Sequence, residues 1–309
     1  MKTALYAAGS DVGALPCARS RWLDFVELTK PRIAVLVLFT VAIGALLTPR
    51  ASLDLVQLLH ALVGTALVAS GASALNQWLE RSSDALMRRT ENRPLPGGRL
   101  SSAEVLWFGI AISIVGLGYM LFVMAHPLAA AVTVFTHLSY VFIYTPLKRM
   151  TTLNTLIGAV PGALPPVIGW TAMTGTLDWN ALVLFLIVFF WQVPHFLAIA
   201  WMYREDYARA DLKMLPGVDP EGTATARQML VYTVALIVVS LLPLLRFGAS
   251  LMYGFGALGL GMFFLRFVWM FAIQPAHAPA RKVLHASLVY LPSVLGLLLL
   301  ERWIRYMTE

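Results

Sequence analysis

The chain reads as long apolar stretches divided by short polar ones, and the stretches have the length of membrane helices. A helix needs about 20 mainly apolar residues to cross a bilayer core. Runs free of Lys, Arg, Asp and Glu cover 33–49, 55–79, 150–177, 179–203, 228–245, 247–265 and 283–300, each suited to one span. The run 105–147 is long enough for two, with His126-Pro127 as the turn between them. The pattern therefore predicts an all-α integral membrane protein of nine transmembrane helices. Residues 1–30 contain no apolar core of the kind that marks a cleavable signal peptide, so the first span is expected to serve as the insertion signal. The reading is a cytoplasmic amino-terminal segment, 1–30, and a single membrane domain, 31–309.

Composition agrees. Hydrophobic residues make up 59% and charged residues 13%, with a mean hydropathy of +0.74, against roughly 25% charged in soluble domains. The net charge of +7 fits the anionic face of a membrane better than nucleic acid, which is not expected as a partner. With the amino terminus inside, only Arg50, Arg246, Arg302 and Arg305 of the 23 Lys and Arg fall outside. An odd number of helices places the carboxyl terminus outside. Cys17 is the single cysteine, which excludes an internal disulfide and a CxxC site. The predicted outer connections are short and the inner ones, around 80–103 and 204–227, are long and polar. Function is expected on the inner face.

Three stretches there carry candidate chemistry. In the first, Asn76, Glu80 and Asp84 are spaced i, i+4, i+8, laying an amide and two carboxylates along one helical face, with Arg88 continuing the row. Oxygen ligands at that pitch suit Mg²⁺, which commonly bridges one or two carboxylates to a substrate phosphate, and Arg88 and Arg93 suit the rest of a diphosphate. A solvated, charged loop placed by the positive-inside rule is the plain alternative. In the second, Asp206 offers an opposing carboxylate with Tyr203 one turn earlier. Asp211, about 140° round from Asp206 in a continuing helix, faces elsewhere unless the helix ends first. In the third, Lys148 and Arg149 are placed to neutralise charge building on a leaving group, or are simply topogenic. His195, next to Pro194, is a candidate ligand for a metal or an iron porphyrin. His60, His126, His137 and His285 are expected to bond neighbouring helices. Gly158, Pro161, Gly162, Pro165, Pro166 and Gly169 either open one helix around a ligand or allow close packing.

These motifs carry a resemblance. Leu28-Thr-Lys-Pro-Arg-Ile33, Asn76-x3-Glu80-x3-Asp84-x3-Arg88-x-Thr90-x2-Arg93-Pro94-Leu95, Tyr144-Thr-x2-Lys148-Arg149-x-Thr151, Trp191-Gln-x-Pro194-His195-Phe196 and Asp206-Tyr207-x2-Ala210 run in order. Together they resemble the UbiA superfamily of intramembrane prenyltransferases, and within it the haem-modifying branch. The resemblance implies nine helices around a central cavity and a mouth on the cytoplasmic side; a bacterial inner membrane is expected because residues 1–30, with Asp11, Asp24 and Glu27, do not read as an acid-poor transit peptide. Haem B and farnesyl diphosphate are the implied substrates, with haem A synthase or a terminal oxidase as candidate partners. It also implies Mg²⁺ positioned by Asn76, Glu80, Asp84 and Asp206, with Arg88, Arg93, Lys148 and Arg149 on the diphosphate and His195 and Tyr203 toward haem. Asp211 stands where the family usually has glycine, which puts a second Asp-x3-Asp motif in doubt. The expected reaction is farnesyl transfer to a haem vinyl group with hydration. Prenyl transfer to an aromatic quinone precursor, a multi-pass transporter and a haem-binding assembly factor are the rivals.

Overall fold

The computed structural model describes residues 20–308, with the side chains of Arg246 and Thr308 left out. Cys17 and residues 1–19 of the expected amino-terminal segment lie outside the described residues. All regular structure among the described residues is helical. Ten helices form the body: α1 (Arg21–Leu28), α2 (Pro31–Leu46), α3 (Leu55–Leu79), α4 (Ser102–Val123), α5 (Pro127–Leu147), α6 (Asn154–Thr174), α7 (Trp179–Met202), α8 (Thr223–Leu245), α9 (Leu251–Ile273) and α10 (His277–Met307). Eight are long and apolar enough to cross a membrane, and the count is nine when α1 and α2, bent by 42° at their junction, are taken as one span.

Local chemistry sets the ends. Asp54 caps α3 by accepting from the backbone of Val56 and Gln57, Asp178 caps α7 in the same way, and Ser101 and Glu104 form a reciprocal capping box on α4. Pro31 and Pro127 open α2 and α5, where the missing N–H costs nothing. His126-Pro127 is thus the turn that the pattern predicts. Two helices run past the expected limits. α9 continues through Arg266 to Ile273, and α10 starts at His277 rather than near Val283, so Arg266, Arg281 and Lys282 are helical rather than loop residues. A charge does not end a helix, because a long side chain keeps its head in the polar zone while its stem packs on apolar surface. Arg266 is accordingly exposed.

Large apolar side chains cover the outside, where lipid rather than water is the solvent; Phe122 is 90% exposed. The inside is held by close backbone contact, as expected without a hydrophobic drive between membrane helices. A Cβ on Gly44 would stand 1.9 Å from the Pro166 carbonyl oxygen, and one on Gly169 would stand 1.9 Å from that of Val41. Packing therefore explains Gly169, and the break of α6 at Leu164 follows from Pro165 and Pro166 opening a new helical turn. The carboxyl-terminal helix closes the bundle onto α2: Arg302 and Tyr306 both donate to the Thr48 carbonyl. α1 is pinned at the other end, with Arg99 bridging Asp24 and Glu27 at 2.7 and 2.8 Å and Gln77 donating to the Leu28 carbonyl.

Candidate active site

The site is built at the end of α3. The helix bends at Glu80, but Glu80 N–H still donates to the Asn76 carbonyl at 2.9 Å and Asp84 N–H to that of Glu80 at 2.8 Å. The i, i+4, i+8 row therefore survives the bend. All three side chains are buried: Asn76 is 1%, Glu80 8% and Asp84 0% exposed. Arg88 does not continue the row. The helix stops at Asp84, and Arg88 is exposed on the turns that follow.

Each member of the row meets a donor from a distant segment. Lys30 sits in the left-handed region (φ 49°) between α1 and α2, and its Nζ donates to Asn76 Oδ1 at 3.0 Å. Asn76 Nδ2 donates to Thr145 Oγ1 at 3.2 Å. Lys148 Nζ lies 2.7 Å from Glu80 Oε1 and 4.6 Å from the centre of the Tyr144 ring. Arg93 Nη1 donates to Asp84 Oδ2 at 2.6 Å. Thr90, in the turn that brings Arg93 back, donates to the Asp84 carbonyl at 2.8 Å. Tyr140 and Tyr144 lie on a π-helical stretch, Ser139–Tyr144, whose wider turn precedes Thr145 and Lys148. Such bulges recur at functional sites. Arg149 lies at the rim and donates to Ser82 and Ser83 Oγ at 2.6 Å each.

Three basic side chains thus gather around two carboxylates in a space largely closed to water. Burial, the largest influence on Glu80, pushes its carboxyl up. Lys148, with Lys30 and Arg93 behind it, more than reverses this and holds the group below the ordinary carboxylate range. Burial would lower the Lys148 ammonium, but Glu80 outweighs it and holds Lys148 well above its ordinary value. At Asp84 burial wins over Arg93, and the carboxyl is raised. Asp84 Oδ1 is buried with no hydrogen-bond partner. A cluster of basic side chains beside one bare carboxylate oxygen suits a polyanion carrying its own cation.

The second motif lies apart. Asp206 pairs with Arg209 on a short helix, Arg204–Arg209. It lines a recess of about 450 Å³ with Trp201, Tyr203, Arg204, Pro275 and His277. Among the described residues, no three His, Cys, Asp or Glu side chains come together as a metal site, so Asp206 does not join Glu80 and Asp84 in one cluster. The short helix ends before Asp211, which is exposed in the left-handed region (φ 51°). The two motifs meet instead through Arg89, which stacks on Tyr203, with 5.1 Å to the ring centre, and donates to Tyr207 Oη. His195 is buried in α7, stacked on Trp191 with ring centres 4.7 Å apart, and its Nδ1 lies 2.7 Å from Ser287 Oγ. As expected, His60 bonds a neighbouring helix, through Tyr119; His137 is buried, its Nδ1 without a hydrogen-bond partner. His285 is exposed.

Residues 37–289 match the UbiA prenyltransferase family. The chain belongs to that family. It is 49% identical to "Protoheme IX farnesyltransferase" of Solibacter usitatus (strain Ellin6076), over 90% of this chain and 98% of the relative. It is 44% identical to the protein of that name from Opitutus terrae (strain DSM 11246 / JCM 15787 / PB90-1), over 93% and 97%. Two solved structures share its fold. One, reported for the biosynthesis of digeranylgeranylglyceryl phosphate synthase in membranes, has a TM-score of 0.76 at 17% identity, covering 91% of this chain and 98% of that one. The other, a UbiA homolog from Archaeoglobus fulgidus bound to DMAPP and Mg²⁺, has a TM-score of 0.65 at 13% identity, covering 89% and 99%.

This UbiA prenyltransferase also holds site residues that spacing alone did not single out. Lys30 lies in the Thr-Lys-Pro-Arg motif, and the Pro that follows was the only local sign of a break there. Tyr144 ends the π-helical turn and Thr145 follows it, and Asn154 ties the Thr151 loop to the second motif by donating to the Thr151 and Lys213 carbonyls at 2.6 and 2.7 Å. Gln192 approaches α6 so closely that a Cβ on Gly162 would stand 2.0 Å from its Oε1. That glycine is a packing requirement, not an opening for a ligand.

Proposed function

We propose that this protein transfers the farnesyl group of farnesyl diphosphate to a vinyl group of haem B, with water completing the product. The observation that carries the reading is the buried group of Lys30, Arg93 and Lys148 around Glu80 and Asp84, at the end of an apolar bundle. The relatives named protoheme IX farnesyltransferase support the choice of substrates. In the reaction the bond between farnesyl C1 and the diphosphate oxygen breaks, and its electrons leave with diphosphate. The vinyl carbon supplies the pair for the new carbon–carbon bond, water adds to the resulting cation, and one proton is released. Lys148, Arg93 and Lys30 stabilise the charge gathering on the departing diphosphate, with Arg149 at the rim. The apolar walls keep water from the allylic cation until the haem is joined.

A divalent metal fits the residues present. The bare Asp84 Oδ1 and the neighbouring Glu80 would hold it, and Mg²⁺ would supply charge to the diphosphate. Asn76 is engaged by Lys30 and Thr145, which gives it the part of fixing Lys30. Asp206 belongs to the rim, while His195 and Tyr203 lie toward the haem. The mouth faces the cytoplasm of a bacterial inner membrane, as the placement of Lys and Arg supports.

The test is to incubate detergent-purified protein with haem B, farnesyl diphosphate, 4-hydroxybenzoate and Mg²⁺, with and without chelator, and to analyse the products by mass spectrometry. Haem enlarged by one farnesyl group and one water, lost on chelation, is expected. Prenylation of the benzoate alone would keep the family and overturn the haem reading.

A further inference from the structure

Among the side chains outside the charged cluster, one buried group has its chemistry settled by its neighbours. His195 Nδ1 lies 2.7 Å from Ser287 Oγ, and Ser287 Oγ also lies 2.7 Å from the Leu284 carbonyl oxygen. A serine has one proton to give. If it went to His195, two acceptor oxygens would face each other at 2.7 Å with no proton between them. If it goes to Leu284, both contacts are satisfied, and the His195 contact must then be donated by the histidine. His195 therefore carries its proton on Nδ1 and its lone pair on Nε2.

The same serine holds the ring's orientation. The Ser287 carbonyl accepts from Trp191 Nε1 at 2.7 Å, and the Trp191 ring stacks on His195 at 25° between planes. One fully buried residue of α10 thus fixes two neighbouring rings of α7, one through its hydroxyl and one through its backbone. Nε2 makes no hydrogen bond among the described residues and keeps some accessible surface. His195 lies seven residues before Met202, about 10 Å along the helix from its charged end. A lone pair at that depth, on a ring locked in tautomer and plane, is the arrangement in which imidazole binds a metal.

We infer that Ser287 is a positioning residue for haem: it locks His195 in the Nδ1–H form so that Nε2 ligates the haem iron while the prenyl group is delivered from the charged end. This rests on haem being the acceptor, as proposed above. The experiment titrates the purified full-length protein with haem B and records the ferric and ferrous–CO spectra of wild type, His195→Ala, Ser287→Ala and Ser287→Thr. Wild type should show a nitrogen-ligated haem. His195→Ala should lose that signature and regain it with added imidazole. Ser287→Ala should weaken the ligated form by about tenfold or more, the usual loss when a partner of a metal-bound histidine is removed, and Ser287→Thr, which keeps the hydroxyl, should restore it. Ser287→Cys, of similar shape but a poor acceptor, gives the same reading if the alanine protein is not recovered folded. Ser287→Ala with the wild-type spectrum and affinity would overturn the role of Ser287. A wild-type protein that farnesylates haem without a nitrogen-ligated spectrum would overturn the ligation and leave the reaction standing. One that neither binds nor farnesylates haem would remove the proposed function itself.

Discussion

Two ends of this bundle join distant segments with charged groups, and they do it differently. At the end far from the site, Glu301 of α10 is matched: one carboxylate oxygen accepts from Ser250 N–H at 3.0 Å and the other from Ser250 Oγ at 2.8 Å, with Arg305 Nε 3.7 Å away. Arg305 and Arg302 also donate to the carbonyls of Phe247 and Thr48, and the one buried unpartnered atom among these three side chains is a donor, Arg302 Nε, not a carboxylate oxygen. That end is a clasp. At the other end, Lys30, Arg93 and Lys148 gather on Asn76, Asp84 and Glu80, and Asp84 Oδ1 is buried with nothing to accept from. Burying charge is costly, and a protein that only needed to hold its helices together would match it or replace it with apolar side chains. A buried carboxylate oxygen left without a donor is the mark of a site waiting for a cation.

Substitutions in the two regions should therefore separate activity from stability. The largest effect is expected for Asp84→Asn, which keeps the shape and removes the charge: turnover should fall by about 10²-fold or more with little change in melting temperature in detergent. Lys148→Met should harm both properties. It removes a cation from the diphosphate and strands Glu80, at about 3–5 kcal/mol for a broken buried pair. Adding Glu80→Leu should restore the melting temperature and leave activity lost. If the double variant regains activity, the pair is structural and the contrast between the ends fails. Glu301→Gln should behave oppositely, losing about 1–2 kcal/mol of stability with the rate per folded molecule preserved. Arg88→Ala is expected to change least, because Arg88 is exposed and off the row; a collapse in rate would show that the turn after Asp84 rearranges around substrate.

Much of the fold is legible in apolar runs alone, because each span must satisfy its backbone within itself and present apolar side chains to lipid. What the runs miss lies where a charge falls inside a helix, as at Arg266, or where a helix begins in polar sequence, as at His277 and Thr223. The Asn76, Glu80, Asp84 row is legible because it is local, set by helical pitch. Its partners are not, because Lys30, Arg93 and Lys148 reach it only through a kink, a returning turn and a separate helix. Arg88 looked like the natural neighbour by pitch, and Arg93 holds the place because the helix stops at Asp84. Asp211 depended on where one short helix ended, which spacing does not reveal.

The central claim is that the basic side chains and the bare carboxylate oxygen of the α3 end receive the diphosphate and its metal. The most direct measurement is an experimental structure of the protein with Mn²⁺ and a non-hydrolysable thio analogue of farnesyl diphosphate, using the anomalous signal to place the metal. The account predicts the metal beside Asp84 Oδ1, with the diphosphate between Lys30, Arg93 and Lys148. A metal and diphosphate bound in the recess of Arg204, Asp206 and His277, with Glu80 and Asp84 still held by their present partners, would contradict it.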